Sequence, residues 1–215
     1  MSEHPVTAID IALKPGPAMV RRARADNARL LKAFPEFFPL DATHRPHMTM
    51  LQQFVRTAEL PKVSAAASAV LGKERVTRWR LRATGYYYIP SAPLGIAGIV
   101  VQPTEALLRL QRELLAAVAP FTVRTGTPAA FYSTEDGRDI QAGLIDYVAD
   151  FVTVAAGKKF NPHVTIGVAP QTYLDKMFAE PFKPFTFSPV GAAVYQLGTF
   201  GAVRKELGGT LDLAP

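Results

Sequence analysis

Two pentapeptides decide the fold of this chain, Pro46-His47-Met48-Thr49-Met50 and Pro162-His163-Val164-Thr165-Ile166. Each reads Pro-His-apolar-Thr-apolar, and one lies in each half of the 215-residue sequence. Side chains that follow one another on a strand point to opposite faces of the sheet. As strands, the two segments would therefore carry the histidine and the threonine on one face and the two apolar side chains on the other.

The repeat predicts two lobes, each with one imidazole and one hydroxyl on an open strand face. The apolar positions Met48, Met50, Val164 and Ile166 are expected to point into the cores. The polar faces are then left to meet across a gap between the lobes. A chance repeat of two strand histidines is the alternative, but the shared proline and flanking apolar residues make it the weaker explanation.

The segments around the motifs alternate between strand and helix patterns. In the first half, strands are predicted at 7–13, 47–55, 78–89 and 96–102, with helices ending near Phe34 and covering about 59–71. In the second half, helices are predicted from a Thr104 N-cap to Pro120, at 139–151 and at 173–178, with strands at 163–168, 185–197 and 203–213. The segment 122–138 is predicted to be a loop.

These elements predict an α+β protein. Several strands follow one another without an intervening helix, which favours antiparallel sheets. No linker or low-complexity tract divides the chain, so residues 1–215 are expected to form a single domain with two similar lobes and a central cleft. The lobes are expected to correspond roughly to residues 1–102 and 103–215, with intertwining of the two halves left open.

Composition limits what the protein can be. With 48% apolar residues the chain can bury a substantial core, which excludes disorder as its main state. Lysine and arginine number 24 against 18 aspartate and glutamate, and the net charge of +6 favours an anionic partner. The basic residues are too scattered for binding by charge alone. The chain has no cysteine, so disulfides, thiol nucleophiles and cysteine-held metals are excluded.

The sequence also gives an expectation for location. Its apolar stretches are far shorter than the roughly 20 residues of a membrane-spanning helix, so no membrane association is expected. The first five residues lack the basic and apolar pattern of a secretory leader. A cytoplasmic monomer without an obligate protein partner is therefore expected.

Two imidazoles and two hydroxyls around one point suit chemistry at a phosphodiester. That reaction needs a base for the attacking oxygen and an acid for the leaving oxygen, on opposite sides of the phosphorus. Imidazole serves either role near neutral pH. A threonine hydroxyl beside each imidazole can donate a hydrogen bond to a phosphate oxygen and stabilise its growing negative charge. We therefore expect His47, Thr49, His163 and Thr165 to be the catalytic residues.

The stretches His47-Met48-Thr49-Met50 and His163-Val164-Thr165-Ile166 resemble the His-x-Thr-apolar signature of the two-histidine (2H) phosphoesterases, which include 2'-5' RNA ligase-like proteins and cyclic nucleotide phosphodiesterases. The entry Asn161-Pro162-His163 and the closing segment 195–207 are also similar, so the resemblance covers nearly the whole chain. It implies a bilobal fold and metal-independent chemistry without a cofactor. It also implies a nucleotide or RNA end with a 2',3'-cyclic or 1'',2''-cyclic phosphate, or a 2'-5' linkage, as substrate.

Three alternatives to a cyclic phosphodiesterase stay open. The same residues would serve a 2'-5' RNA ligase, since the reverse reaction uses the same site. A non-catalytic RNA-binding or nucleotide-binding module would keep the cleft without turnover. In a purely structural α+β protein, the motifs would be core strands and a histidine substitution would lower stability without abolishing a reaction.

Five further side chains are candidates for substrate binding. Tyr86 and Tyr88 share one face of a predicted strand, and Tyr132 lies in a polar loop, so each is a candidate to stack on a base or ribose. Arg204 and Lys205 lie near the closing strand, where a cation would complete a phosphate pocket. Core packing of the tyrosines and solvation of the basic pair are the competing interpretations.

His44 and His47 form a His-x-x-His pair, a spacing also found among metal ligands. Only Asp41 is a nearby carboxylate, and on a strand the two histidines would lie on opposite faces. No metal site is therefore expected, and His44 is expected to lie in a loop or at the rim of the cleft.

Overall fold

The computed structural model describes residues 5–133, 137, 139–207 and 211. The described ranges contain five α-helices, α1 (Pro17–Ala33), α2 (Leu60–Leu71), α3 (Glu105–Val118), α4 (Ala142–Ala155) and α5 (Gln171–Phe178). They also contain nine β-strands, β1 (Val6–Pro15), β2 (Met48–Arg56), β3 (Leu81–Ser91), β4 (Leu94–Val101), β5 (Thr122–Val123), β6 (His163–Pro170), β7 (Phe185–Phe187), β8 (Pro189–Leu197) and β9 (Val203–Glu206).

The strands form two antiparallel sheets. The first has the order β5-β2-β1-β8-β9 and carries the first histidine motif on β2. The second has the order β6-β4-β3-β7 and carries the second motif on β6. The α+β fold with two antiparallel sheets that the sequence predicts is confirmed.

The sheets do not follow the halves of the chain. β8 and β9 come from the second half but join β1 in the first sheet, while β3 and β4 come from the first half and join β6. The two halves on either side of residue 102 are therefore intertwined, a possibility that the sequence leaves open. The chain crosses between the sheets inside the segment predicted as one strand at 185–197, because β7 pairs with β3 and β8 pairs with β1. Pro189, which cannot donate to a strand ladder, opens the new strand at this crossing.

Both motif strands carry the same irregularity. On β2, Met50 follows Thr49 as an extra residue without a partner on β1. On β6, Ile166 follows Thr165 as an extra residue without a partner on β4. A bulge of this kind shifts the alternation of side chains by one residue. The side chain that next shares the face of Thr49 is therefore three residues on, at Gln52, rather than two.

A continuous apolar core joins the sheets and helices. Helices α3 and α4 pack against β2, while α1 and α5 pack against the second sheet. The core cluster contains residues of both sheets. Met48, Met50, Val164 and Ile166 are each at most 1% exposed. The prediction that the apolar motif residues point into the core is confirmed.

The connections differ from the prediction in detail. The predicted loop 122–138 contains the short edge strand β5, which pairs with β2. The Thr104 side chain accepts from the Leu107 N–H, as expected of an N-cap. Helix α4 begins at Ala142 rather than at 139. The closing strand ends at Glu206, and most of the remainder of its predicted range lies outside the described residues. None of the helices in the described ranges has the length and hydropathy needed to cross a bilayer.

Candidate active site

Each motif histidine lies where its strand begins. His47 directly precedes β2, and His163 is the first residue of β6. A proline precedes each histidine and disfavours a helical conformation in its own predecessor, Arg45 or Asn161. The carbonyl oxygen of that predecessor lies 2.8 Å from the histidine Nδ1. Because a carbonyl only accepts, Nδ1 carries a hydrogen in both rings, which leaves Nε2 as the basic nitrogen of the neutral imidazole.

The two motifs line a single cavity of about 310 Å³. His47, Thr49, His163 and Thr165 all contribute to its wall, so the structure brings the four predicted catalytic side chains together. Among the residues that the structure describes, no lysine or arginine lines this cavity. The rest of the wall is largely apolar or uncharged, with Gln52, Ile89, Pro90, Ser91, Ile96, Asp139, Gln141, Gly143, Leu144, Tyr147, Thr199, Phe200 and Gly201.

Both imidazoles are held in their neutral form by burial. Burial lowers the pKa of His47 below that of free imidazole, although its hydrogen bond to the Arg45 carbonyl opposes the shift. Burial also lowers the pKa of His163, to about 4, and the nearby His47 adds to this effect. Near neutral pH, each ring therefore presents an unprotonated Nε2.

The two motif threonines differ in their partners. The Thr49 hydroxyl donates to Oδ2 of Asp10 at 2.6 Å. Within the described ranges, the Thr165 hydroxyl has no hydrogen-bond partner. The sequence repeat predicts two equivalent halves of the site, but only the first half has a carboxyl group behind its threonine.

Asp10 lies in the middle of β1 and is completely buried. Gln52 Nε2 donates at 2.9 Å to the same carboxyl oxygen that Thr49 contacts. Burial raises the pKa of Asp10 to about 7, although the hydrogen bonds from Thr49 and Gln52 oppose the shift. In the described part of the chain, Asp10 Oδ1 and Gln52 Oε1 are buried without a hydrogen-bond partner.

Tyr87 and Gly98 fix the position of the second imidazole. The Tyr87 ring packs edge-on against His163, with ring centroids 4.7 Å apart. A Cβ at Gly98 of β4 would lie 2.9 Å from Tyr87 Cε1 and 3.2 Å from His163 Cδ2. The two rings therefore pack over a backbone position that has no room for a side chain.

Tyr86 and Tyr88 lie on the opposite face of β3 from Tyr87 and do not line the cavity. Tyr86 stacks on Phe178 with centroids 4.9 Å apart, and its hydroxyl donates to Asp26 at 3.0 Å. The Tyr88 hydroxyl donates to Asp175 at 2.9 Å. These contacts correct the predicted substrate-binding roles of Tyr86 and Tyr88, because strand alternation turns them away from His163 and toward the α5 side of the sheet.

Tyr132, Arg204 and Lys205 do not line the cavity either. The Arg204 guanidinium lies 5.2 Å from the centre of the Tyr132 ring and donates to His44 Nε2 at 3.0 Å. Lys205 is exposed on β9. The predicted direct contacts of these three side chains with a substrate are therefore not supported by their positions.

His44 lies in the loop before β2, one of the two places that the sequence predicts for it. Its ring stacks on Phe38 with centroids 4.6 Å apart, and Phe38 lies 6.0 Å from Phe200, which lines the cavity. Phe200 has a φ of 56°, a left-handed conformation that is uncommon for a bulky residue. Such strain is typical of positions whose side-chain direction matters for function. Among the described residues, no three His, Cys, Asp or Glu side chains converge as a metal site would require.

Sequence reasoning missed four residues of the site. Asp10 carried a signal, since it is the single charged residue between Val6 and Leu13. Gln52 was hidden because strict alternation does not bring it to the cavity without the bulge. Tyr147 on α4 and Phe200 in the turn before β9 reach the cavity through tertiary packing, and their local sequence gives no sign of it.

A family model described as the 2'-5' RNA ligase superfamily matches residues 17–196, a range that contains both histidine motifs. The chain belongs to the 2'-5' RNA ligase superfamily. The resemblance to the 2H phosphoesterases that the two motifs carry is thereby confirmed. In this superfamily member, the paired motifs face each other across the cavity described above.

Solved structures with a similar fold include TT0787 of Thermus thermophilus, which is 22% identical with a TM-score of 0.55, over 95% of this chain and 98% of that chain. E. coli LigT in complex with ATP is 13% identical with a TM-score of 0.46, over 98% and 100% of the two chains. Usb1 of Kluyveromyces marxianus is 11% identical with a TM-score of 0.44, over 97% and 100%. At such identities the TT0787 match supports the fold alone. No curated protein sequence matches the chain.

Proposed function

We propose that the chain is a metal-independent phosphodiesterase that opens a 2',3'-cyclic phosphate, or a 1'',2''-cyclic phosphate, on a nucleotide or RNA end. The observation that carries this proposal is the convergence of two imidazoles on one cavity, each anchored through Nδ1 to a backbone carbonyl. This anchoring leaves both Nε2 atoms available for proton transfer. Paired acid and base groups on two sides of one cavity match the needs of an in-line displacement at phosphorus.

The proton that the general acid needs is taken up from solvent when the substrate binds. Both histidines are neutral near neutral pH, because burial lowers their pKa values. A cyclic phosphodiester carries one negative charge, and an opposite charge raises the pKa of a neighbouring imidazole. Binding therefore favours uptake of one proton, which makes one histidine an imidazolium and leaves the other neutral.

Hydrolysis then proceeds with a balanced transfer of protons. The neutral Nε2 accepts a proton from water while the water oxygen forms a bond to phosphorus. The bond between phosphorus and one ribose oxygen breaks, and the imidazolium donates its proton to that oxygen. The product is a phosphate monoester beside a free hydroxyl. The orientation of the substrate decides whether His47 or His163 is the acid.

The threonines are proposed to hold the non-bridging phosphate oxygens. Thr165 is free to donate in the described structure, whereas Thr49 must turn its hydroxyl away from Asp10 to do so. A hydrogen bond that strengthens as charge develops on the phosphate lowers the barrier. The site thus relies on neutral donors, since no lysine or arginine of the described ranges lines it.

The cavity suits one nucleoside unit. Its volume of about 310 Å³ is at the small end of ligand pockets, which span roughly 300–1,000 Å³. Apolar side chains of Ile89, Ile96, Leu144 and Phe200 form the wall beside the histidines. These surfaces suit a ribose and base better than a run of phosphates, which supports a terminal nucleotide as the group that enters the site.

The proposal is tested with a substrate panel after removal of metals by EDTA. The panel holds nucleoside 2',3'-cyclic phosphates, a 1'',2''-cyclic phosphate of ADP-ribose and a 2'-5' linked dinucleotide, with products identified by mass and phosphate position. His47→Ala and His163→Ala are each expected to lower turnover at least about 100-fold, since each removes a general acid or base. His44→Ala is the matched control, because His44 does not line the cavity.

The same panel separates the alternatives. Full activity of either His→Ala variant would contradict the mechanism. A ligated product from an RNA with a 2',3'-cyclic phosphate and a second RNA with a 5'-hydroxyl would assign the chain as a 2'-5' RNA ligase. Tight binding of a panel member without turnover would assign a binding module.

A further inference from the structure

The strand positions beside the two motif threonines are equivalent in register but opposite in chemistry. Next to the bulge of the first motif, Asp10 of β1 pairs with Gln52 of β2. At the matching place beside the second motif, Ile96 of β4 pairs with Val168 of β6. Because the apolar pair supports the same bulge, the fold itself does not require a polar pair there. The buried carboxyl group behind Thr49 therefore calls for another explanation.

Two hydrogen bonds to Oδ2 partly stabilise a negative charge on Asp10, but no cation among the described residues balances it. In the described ranges no lysine, arginine or histidine forms an ion pair with it. The titratable groups that interact with it are two tyrosines, Tyr147 on α4 and Tyr195 on β8, and both are uncharged at neutral pH. An unpaired buried carboxylate is costly, and such a group responds by keeping its proton.

One proton on Asp10 satisfies two buried atoms at once. Asp10 Oδ1 and Gln52 Oε1 are both acceptors without a donor in the described structure. The two groups are already joined through their other polar atoms, since Gln52 Nε2 donates to Asp10 Oδ2. A hydrogen on Oδ1 supplies the donor that the pair lacks, and the acid and the amide then satisfy each other in both directions.

The proton on Asp10 also decides what Thr49 can offer a phosphate. A hydroxyl has one hydrogen, and that of Thr49 is directed at Asp10. A hydrogen bond to an ionised carboxylate is about twice as strong as one to a neutral group. With Asp10 ionised, Thr49 therefore keeps its hydrogen on the carboxylate and presents only lone pairs to a phosphate oxygen. With Asp10 neutral, the hydroxyl turns to the phosphate at lower cost.

We propose that Asp10 is a positioning residue of the phosphate site that works as a neutral acid. Its proton, shared with Gln52, leaves the Thr49 hydroxyl free to turn to a phosphate oxygen, and loss of this proton withdraws Thr49 from the substrate. The inference rests on the proposed function, since it assumes that a phosphodiester occupies the cavity. It breaks the symmetry of the repeat: Thr165 is always available, whereas Thr49 is available only when Asp10 is protonated.

Burial raises the pKa of Asp10 to about 7, so its protonation changes within a pH range in which binding can be measured. The neutral acid therefore dominates at pH 5.5 and the carboxylate at pH 8.5. Asparagine is the matched replacement, because its amide oxygen accepts from Thr49 and Gln52 while its NH2 group supplies the donor for Gln52 Oε1 at every pH.

Binding of 2',3'-cyclic AMP to His163→Ala protein, in which turnover is blocked, tests the proposal between pH 5.5 and 8.5. The diester keeps a constant charge over this range. With a pKa of about 7, roughly one Asp10 side chain in 30 is protonated at pH 8.5. The protein with Asp10 is therefore expected to bind about 30-fold more weakly at pH 8.5 than the protein that also carries Asp10→Asn. The difference is expected to close toward pH 5.5. Asp175→Asn, on the far face of the second sheet, is the matched control and is expected to leave the pH dependence unchanged.

Unfolding in urea gives a second readout that does not depend on a ligand. The pKa of Asp10 is raised from 3.8 to about 7, so the native state keeps a proton that the unfolded chain has released. The stability of the otherwise unaltered protein therefore falls relative to Asp10→Asn as pH rises from about 4 to 7. The difference in free energy of unfolding between the two proteins is expected to change in this direction over the window and to stay constant above pH 8.

The outcomes separate this inference from the proposed function. Binding that weakens equally with pH in both proteins overturns the inference and leaves the proposed function standing. A difference in urea midpoint between the proteins with and without Asp10→Asn that does not change with pH also overturns the inference, because Asp10 then does not titrate as proposed. Absence of binding at every pH in both proteins overturns the proposed function and this inference with it.

Discussion

At the scale of the residue, the protonation states of the histidines dominate the chemistry of the site. The Nδ1 hydrogen of each ring is fixed by a carbonyl two residues earlier, so a proton enters or leaves only at Nε2. Burial lowers both pKa values, and for His163 the value falls to about 4. The proposed mechanism needs one neutral and one protonated imidazole. Near neutral pH the neutral base is therefore abundant and the protonated acid is scarce.

These shifts give a prediction for the pH dependence of kcat/KM with a 2',3'-cyclic phosphate. The profile reports the free enzyme. Because both imidazole pKa values lie below 6.5, kcat/KM is expected to peak between about pH 4 and 6.5 and to fall at higher pH. The optimum of kcat is expected at higher pH, since the bound phosphate raises the pKa of its histidine partner. A maximum of kcat/KM at pH 8, or a flat profile from pH 5 to 9, would contradict paired histidine catalysis.

At the scale of the element, the second motif depends on how closely β4 approaches the two aromatic rings. His163 and Tyr87 pack over Gly98, where a methyl group would lie within about 3 Å of both rings. The β-bulge after Thr49 has a similar effect on its own strand, since it brings the Gln52 side chain to the cavity. The exact direction of the side chains in the candidate site is thus set by neighbouring strands as well as by their own.

Gly98→Ala is expected to lower kcat/KM about tenfold or more, because displacement of the His163 ring by a fraction of an ångström disturbs proton transfer. The Gly98→Ala variant is expected to fold, since the rings of Tyr87 and His163 lie at the ends of their side chains and can move away from the added methyl group. Gly85→Ala on β3 is the matched control, because a Cβ there meets nothing within 4 Å. Steady-state kinetics and thermal unfolding of both variants check the prediction. Equal activities of the two variants would show that the contact over Gly98 does not position His163.

At the scale of the whole molecule, the interleaving of the sheets ties the two motifs into one body. Each sheet takes strands from both halves of the chain, and α1 from the first half packs against β6 of the second motif. A single apolar cluster contains residues of both sheets. Neither half has a complete set of strand partners by itself.

A fragment of residues 1–102 is therefore expected to remain unfolded. Within it, β1 lacks its partner β8 and β4 lacks its partner β6, so long strand edges and apolar faces stay open. Circular dichroism and the dispersion of amide signals in NMR spectra measure this. Mixing with a fragment of residues 103–215 is expected to restore structure. A cooperatively folded 1–102 fragment would instead support the lobe boundary near residue 102.

The sequence alone determined the kind of fold and the four central side chains. Strand alternation in the Pro-His-apolar-Thr-apolar repeat is a local property, so it correctly put Met48 and Val164 in the core and the histidines on the opposite face. The same local rule put Tyr86 and Tyr88 on a shared face. It gave no means of telling which face of that strand the cavity would occupy.

Only the tertiary structure decided the membership of the lobes and the rest of the cavity wall. A bulge inserts one residue into the alternation and brings Gln52 to the site, and packing of α4 and of the turn before β9 brings Tyr147 and Phe200 there. Whether Asp10 is charged or neutral likewise depends on burial between neighbouring strands. These features arise from contacts between segments far apart in the chain, and a periodic pattern within one segment contains no information about which segment will pack against it.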